Sequence, residues 1–169
     1  MTFHEQDSKI KAKKKRQAVP CIEKSTGQDK GEIAMKILNG KVFENGKFVE
    51  KKVATDGSFF AADSGDGKEI DAAGCYVIPG LIDIHFHGCA GVDFCDGTVE
   101  AMRHMAEYEL QNGITSIHPA TMTLSEEELT TISKAAKTFH EEQKADETLL
   151  TKEAELVGIY MEGPFISME

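Results

Sequence analysis

The chain has 169 residues, of which 40% are hydrophobic, and this is enough for one ordinary domain with a buried core. No apolar run reaches the roughly 20 residues that a membrane span needs, and the polar N-terminus lacks the features of a secretion signal. The net charge is −10; because residues 1–30 hold eight Lys and Arg against four Asp and Glu, the remaining residues carry −14. This acidic body argues against a nucleic-acid partner, and we expect no membrane partner either.

The first segment, residues 1–32, is polar and aperiodic, and we predict a disordered basic extension. Its basic run at 11–16 would suit a polyanion or an address signal, but the composition favours a solvated tail. The four cysteines, Cys21, Cys75, Cys89 and Cys95, form no CxxC pair. Without an export signal they are expected to be free thiols in a reducing cytoplasm.

Residues 33–75 are predicted to form short strands of a small sheet. Four pairs of residues that favour positive φ occur at close intervals, which is typical of hairpins: Asn39-Gly40, Asn45-Gly46, Asp56-Gly57 and Asp66-Gly67. A small sheet of this kind needs another layer to cover it.

From residue 76 onward the pattern alternates between strands and helices. Residues 76–84 are apolar almost throughout, which predicts a strand buried on both faces of a parallel sheet, with Pro79-Gly80 near its start. Residues 98–112 have helical periodicity and end at Asn112-Gly113, and residues 114–120 form the second strand.

A second helix is predicted to begin at Ser125, because Glu128 completes a capping box three residues later. Residues 141–152 are predicted to be a polar connection, and residues 156–161 the third strand. Alternation of this kind indicates βαβ units with a parallel sheet, so residues 76–169 are expected to be an α/β domain.

His85 and His87 lie at the end of the first of these strands. Residues i and i+2 of a strand point to the same side, so the two imidazoles can chelate one divalent cation. An HxH pair also arises by chance, but this one follows a predicted strand and precedes a glycine-containing loop, where parallel α/β folds place their active sites.

Glu162 follows the third predicted strand and precedes Gly163-Pro164. A carboxylate next to apolar residues is costly unless it is solvated, paired or bound to a metal. A strand-end Glu that reaches solvent and a metal ligand are equally acceptable interpretations of Glu162 alone. When Glu162 is considered together with the two histidines, its interpretation as a metal ligand is favoured.

Other polar residues near these strand ends have less specific interpretations. His118 is either a further ligand or substrate contact, or a hydrogen-bonded strand-end residue, which we favour. Asp83 is a candidate to orient an imidazole. Cys89 and Cys95 either approach the metal or serve as small buried hydrophobes, the commoner role. Asp93 and Asp96 are predicted to be loop and capping residues, and no role is assigned to His4, His104 or His140.

The motif Pro79-Gly80-Leu81-Ile82-Asp83-Ile84-His85-Phe86-His87 resembles the opening of the amidohydrolase superfamily. Three further motifs resemble the N-acetylglucosamine-6-phosphate deacetylases within it. They are Gly88-Cys89-Ala90-Gly91, Gly113-Ile114-Thr115 with Pro119-Ala120-Thr121-Met122-Thr123, and Met161-Glu162-Gly163-Pro164-Phe165-Ile166-Ser167.

This resemblance implies the first three strands of an eight-stranded (β/α)8 TIM-type barrel, preceded by part of a small β-sandwich subdomain. It also implies metal-dependent hydrolysis of the acetyl group of N-acetylglucosamine 6-phosphate, a small-molecule substrate, and a homodimer. His85, His87 and Glu162 match metal-binding positions. One or two ions of Zn, Fe or Mn are expected, and the retained histidine pair favours two.

The family's later histidine ligands, its catalytic aspartate and its substrate-binding residues come after the position of Glu169. We therefore expect an N-terminal fragment with no catalytic residue of its own, inactive by itself. Two alternatives stay open at this point. One is another amidohydrolase of the cyclic-amide or dihydropyrimidinase type, and the other is a non-catalytic fragment that binds metal.

Overall fold

The computed structural model describes residues 35–56, 59–61 and 67–166. These residues form two compact units, and the division between them falls after Gly80. The domain limits 33–75 and 76–169 stay predictions, and the basic extension 1–32 lies outside the described residues. In the part of the chain that the structure covers, no helix combines the length and apolar character needed to cross a membrane.

The first unit is a mixed sheet built around one long strand. Its strands are β1 (Met35–Glu44), β2 (Lys47–Asp56), β3 (Phe59–Ala61), β4 (Lys68–Asp71) and β5 (Tyr76–Val77). β1 pairs antiparallel with β2 and parallel with both β4 and β5, and β3 extends the sheet beyond β2. The prediction of short strands with hairpin punctuation in this region is confirmed in part.

The two Asn-Gly pairs have different structural roles. Asn45 and Gly46 have φ angles of 50° and 79° and form the tight turn between β1 and β2, as predicted. Asn39-Gly40 was predicted to be a turn and lies inside β1 instead, where the pairing register shifts between Ile37 and Gly40. The positive φ of Asn39, 59°, is thus used for a bulge. Asp56-Gly57 and Asp66-Gly67 each extend outside the described residues.

The second unit is an α/β layer with a parallel sheet. Its elements are β6 (Leu81–Phe86), β7 (Gly88–Cys89), β8 (Val92–Asp93), α1 (Val99–Gln111), β9 (Ile114–Pro119), α2 (Glu126–Ala145) and β10 (Glu155–Leu156). β6, β9 and β10 form the parallel sheet in the order β10-β9-β6, while β7 and β8 form a short antiparallel pair. The α/β class is confirmed, and the described strands do not close into a barrel.

Both helices begin where the sequence predicts. Thr98 caps α1 by accepting a hydrogen bond from the backbone N–H of Ala101. Ser125 and Glu128 form the predicted capping box of α2. The inner face of α1 packs on β9 and that of α2 on α1 and β10. Their shared core contains side chains that are at most 2% exposed, among them Phe94, Met105, Ile117, Ile132 and Phe139.

The first long strand differs from its prediction. Residues 76–77 pair with β1 in the first unit, and the strand of the second unit begins only at Leu81, after Pro79-Gly80. The expected burial on both faces is wrong, because Ile82 and Ile84 are 62% and 71% exposed. β6 is the outermost strand of its sheet within the described residues, so no described neighbour covers these side chains.

The end of the unit also differs from its prediction. The tract 141–152 was expected to be a polar connection, but α2 continues to Ala145 and a 3-10 turn spans Glu147–Thr151. The third strand was expected at 156–161 and consists of Glu155–Leu156, followed by a single parallel bridge between Ala120 and Tyr160. One polar residue of this tract, Gln143, is buried because it bonds Glu153, the residue directly after the tract.

That pairing centres on Glu153, which is 2% exposed. Its carboxylate accepts hydrogen bonds from the Arg103 guanidinium of α1 and from the Gln143 side chain of α2. The Gln143 amide also bonds the backbone of Ala154 and Leu156 on both sides of the start of β10. The network therefore joins both helices to the amino end of β10 and satisfies a carboxylate that would otherwise be costly to bury.

The β7–β8 hairpin places Cys89 against α1. Its thiol lies 3.8 Å from the carbonyl oxygen of Met105. Burial, together with the neighbouring carboxylates of Glu109 and Asp83, raises the pKa of the Cys89 thiol to about 12. Burial also raises the pKa of Glu109. Cys89 is therefore a neutral, partly buried thiol, in agreement with its predicted role as a small hydrophobe.

We predict that Glu153→Ala lowers the free energy of unfolding by about 2 kcal/mol, because Arg103 and Gln143 each lose a buried acceptor and retain only the Glu142 carboxylate and the Ala154 carbonyl. Urea denaturation followed by circular dichroism measures the change. Lys137→Ala is the matched control, since Lys137 forms an exposed pair with Glu141 at 3.7 Å, and we expect it to cost less than about 0.5 kcal/mol. Equal losses in both variants would contradict the stabilising role of the network.

We also predict that Cys89 is protected from alkylation. At about pH 8 a thiol of such a pKa is ionised in about one molecule in ten thousand, and the thiolate is the reactive form. Pulsed iodoacetamide labelling with peptide mass spectrometry should therefore modify Cys89 about a thousandfold more slowly in the folded chain than in the urea-unfolded chain. Similar rates in the two states would show that the thiol is not held in its neutral form.

Candidate metal centre

The two histidines of the HxH motif lie at the carboxyl end of β6. His85 is the fifth residue of this strand, and His87 follows it directly, before β7. Their ring centroids are 5.1 Å apart and the rings are nearly perpendicular, with an angle of 88° between their planes. The structure therefore places both imidazoles on the same side, as the two-residue spacing predicts.

Glu162 reaches the same edge of the sheet from the segment that follows β10. Tyr160 forms the parallel bridge to Ala120 at the end of β9. The backbone N–H of Glu162 then donates a hydrogen bond to the hydroxyl of Thr121. The carboxyl ends of β6, β9 and β10 thus meet, and the third predicted residue lies beside the first two.

The three side chains form a compact group of possible ligands. One ligand atom from each of His85, His87 and Glu162 lies within 4.8 Å of the other two. Oε2 of Glu162 is 3.5 Å from Nε2 of His85 and 3.4 Å from Nε2 of His87. The structure brings together all three residues that the sequence nominated as metal ligands. In the part of the chain that is described, no other such group occurs.

The two carboxylate–imidazole separations are longer than direct hydrogen bonds and compatible with ligands of one cation. A charge-assisted N–H···O bond is about 2.7–2.9 Å long, shorter than either separation here. Two ligand atoms that each lie about 2.1 Å from a tetrahedral ion are about 3.4 Å apart. Two imidazole nitrogens and a carboxylate oxygen are also donors that suit Zn²⁺, Fe²⁺ or Mn²⁺.

The group is open to solvent on one side. The side chains of His85, His87 and Glu162 are 42%, 34% and 41% exposed. The other ring nitrogen of His87, Nδ1, is buried and has no hydrogen-bond partner. Nε2 is therefore the His87 nitrogen that is available to an ion or a ligand entering from solvent.

Two neighbouring residues that the sequence did not nominate contact this group. The ring of Tyr160 lies edge-on to His85, with centroids 4.7 Å apart. Thr121, 2% exposed, bonds the backbone of Glu162. Its position directly after the second strand is a signal that was available in the sequence, because loops after parallel strands line the same edge. The contact of Tyr160 with His85 depends on side-chain packing between separate strands.

Asp83 was a candidate to orient an imidazole, and its contact is a different one. Its carboxylate accepts a hydrogen bond from the backbone N–H of His85 at 3.0 Å. Asp83 therefore stabilises the backbone at the end of β6 and does not bond a histidine ring.

The remaining candidates lie outside the three-residue group. The imidazole of His118 packs on Gly158, where an added Cβ would lie 2.7 Å from its Cε1 atom. Cys95 accepts a hydrogen bond from the backbone N–H of Met122. Asp93 and Asp96 form a capping box around a 3-10 turn, so their predicted capping role is confirmed. His140 bonds the carbonyl of Leu156, His104 is exposed, and His4 lies outside the described residues.

Comparison with known proteins finds partial similarity to N-acetylglucosamine-6-phosphate deacetylases. No established family profile matches the chain. The N-acetylglucosamine-6-phosphate deacetylase of Bacillus subtilis is 40% identical over 101 residues, which cover 59% of this chain and 24% of that protein. The enzyme of the same name from Vibrio furnissii is 29% identical over 139 residues, covering 79% of this chain and 32% of that protein.

A solved structure shares the fold. The crystal structure of N-acetylglucosamine-6-phosphate deacetylase from Pasteurella multocida matches with a TM-score of 0.68 and 24% identity, over 80% of this chain and 36% of that one. The chain therefore spans about a quarter to a third of the length of the relatives that it matches. The chain is similar to N-acetylglucosamine-6-phosphate deacetylases over this part of their length.

Proposed function

We propose that His85, His87 and Glu162 bind one divalent cation. The observation that carries this proposal is the mutual approach of three donor atoms within 4.8 Å, at spacings suited to a shared ion. Three protein ligands leave coordination positions open, which is the arrangement of catalytic rather than structural sites. A second ion would need further ligands, because the described residues provide a single group of this kind.

We further propose that this centre belongs to a hydrolase that removes the acetyl group from N-acetylglucosamine 6-phosphate, giving glucosamine 6-phosphate and acetate. Support comes from relatives of that name, and the deacetylase activity is proposed for a protein that contains these residues together with the remainder of such a relative. When bound, a divalent cation supplies Lewis acidity that polarises an amide carbonyl and lowers the pKa of a coordinated water.

The residues of this chain contribute to that chemistry by holding the cation and fixing its position. The Glu162 carboxylate supplies the negative charge that two neutral imidazoles lack, which strengthens the attraction for a cation. His85 and His87 approach from the end of β6 and Glu162 from the segment that follows β10, and all three side chains are partly exposed. An amide substrate would enter from the exposed side of the group.

We predict that the chain binds about one equivalent of Zn²⁺ or Co²⁺, and that His85→Ala and Glu162→Ala each weaken the affinity by about a hundredfold or more, because each removes one of three ligands. Isothermal titration and elemental analysis after dialysis measure this. His104→Ala is the matched control, since it removes an exposed imidazole of α1 outside the group. Unchanged metal content in both ligand variants would remove the assignment.

We expect no acetate release from N-acetylglucosamine 6-phosphate by the 169-residue chain with Zn²⁺ or Fe²⁺. The described strands leave the sheet open, and the described residues place no second carboxylate within the metal group. Turnover by the chain alone would contradict this expectation.

A chimera tests the function proposed for the complete protein. Residues 35–166 would replace the corresponding segment of the Bacillus subtilis deacetylase, and acetate release would be assayed. We expect activity in the chimera and a loss of about a thousandfold or more when it carries Glu162→Ala. A folded chimera that hydrolyses a cyclic amide such as dihydrouracil, and not the acetamido sugar, would favour the alternative amidohydrolase class.

A further inference from the structure

The position of Glu162 is not explained by strand pairing. β10 ends at Leu156, and from there to Glu162 the chain forms a single bridge, at Tyr160. A ligand must nevertheless be held within a fraction of an ångström for three donors to converge on one ion. Some other contact must therefore fix the backbone of Glu162 relative to the two histidines.

The contacts that fix the backbone of Glu162 come from the loop that follows β9. The backbone N–H of Tyr160 donates to the carbonyl of Pro119, and the N–H of Thr121 donates to the carbonyl of Tyr160, each at 3.0 Å. The next bond along uses a side chain, because the Thr121 hydroxyl accepts from the N–H of Glu162 at 3.3 Å. The threonine hydroxyl thus continues the ladder by one step, to the residue that carries the carboxylate.

The same loop is also bonded to the strand of the histidines. The backbone N–H of Ala120 donates to the carbonyl of Phe86, the residue between His85 and His87, at 2.7 Å. Ala120 and Thr121 therefore connect the two ligand-bearing segments through adjacent residues. A displacement of Thr121 would change the separation between the carboxylate and the imidazoles.

The hydroxyl that makes this connection belongs to a buried residue. Thr121 is 2% exposed, so water does not readily replace its hydroxyl as an acceptor for Glu162. The following residues are also in close contact, since a Cβ added to Gly163 would lie 2.6 Å from the hydroxyl of Thr123. The loop and the segment around Glu162 therefore also approach each other closely at Gly163.

We propose that Thr121 is a positioning residue, whose buried hydroxyl sets the distance of the Glu162 carboxylate from the two imidazoles. This inference rests on the metal site proposed above and adds a residue that does not touch the ion. Removing the hydroxyl leaves the Glu162 N–H without an acceptor, while the three ligand side chains are all retained.

The test compares Thr121→Val with Thr121→Ser in the full 169-residue chain. Valine has nearly the same shape and no acceptor, whereas serine retains the hydroxyl. We expect Thr121→Val to weaken Co²⁺ affinity by about ten- to a hundredfold, as is usual when a residue that orients a metal ligand is lost. The absorption spectrum of bound Co²⁺ should also change. Thr121→Ser should restore both properties to nearly the wild-type values.

Ile117→Val is the control for a purely structural effect. Ile117 is 1% exposed on β9, the strand before the loop that carries Thr121, and lies outside the metal group. It should lower the melting temperature without altering Co²⁺ affinity. If Thr121→Val does not fold, Thr121→Ala removes the hydroxyl in the same way and replaces it in the comparison.

A second measurement does not depend on metal. Hydrogen exchange of the Glu162 amide in the metal-free chain should become about tenfold faster or more in Thr121→Val, and not in Thr121→Ser or Ile117→Val. If the wild-type chain binds no Co²⁺, the metal site proposed above fails, and this exchange rate decides the role of Thr121 separately. Unchanged Co²⁺ affinity in Thr121→Val, or unchanged exchange where no metal binds, would overturn the inference.

Discussion

The structure around the candidate centre depends on one constraint, which is that parallel strands end at a common edge. β6, β9 and β10 run in the same direction, and residues from the ends of adjacent strands are tied by backbone hydrogen bonds, Ala120 to Phe86 and Tyr160 to Pro119. Side chains about 75 residues apart in the chain therefore converge without any direct bond between them. Where the regular ladder stops, a side-chain hydroxyl supplies the next bond, so the chemistry at this edge depends on main-chain register as much as on the ligands.

The buried network that stabilises the fold and the candidate metal ligand Glu162 lie beyond opposite ends of β10. The buried network of Arg103, Gln143 and Glu153 holds the amino end of this strand to both helices, whereas Glu162 follows its carboxyl end. The Glu153 carboxylate is stable in the interior because two side chains donate hydrogen bonds to it. The Glu162 carboxylate is 41% exposed and remains accessible to a ligand from solvent. The same side-chain type thus has two roles that are set by its surroundings.

Much of this arrangement could be predicted from the sequence because the signals are local. Capping chemistry predicts that the helices start at Thr98 and Ser125. Strand periodicity predicts that His85 and His87 lie on the same side of the strand. The exposure of Ile82 and Ile84 could not be predicted, because it depends on which strands and helices lie beside β6. The continuation of α2 through a polar tract was missed for a related reason. Gln143 and Glu153 are buried because their side chains bond each other, and this contact depends on the fold. Thr121 lies in a motif that carries the family resemblance, but only the fold reveals that its hydroxyl bonds Glu162.

The contact between His118 and Gly158 has a consequence for sequence variation. A Cβ at position 158 would lie only 2.7 Å from the imidazole, so any residue larger than glycine there would require the His118 ring to shift. The two positions are therefore expected to change together among homologues, a side chain at 158 being accompanied by a smaller residue at 118. Such paired replacement would leave the strand order intact and alter the shape of the surface between β9 and the start of the segment that leads to Glu162.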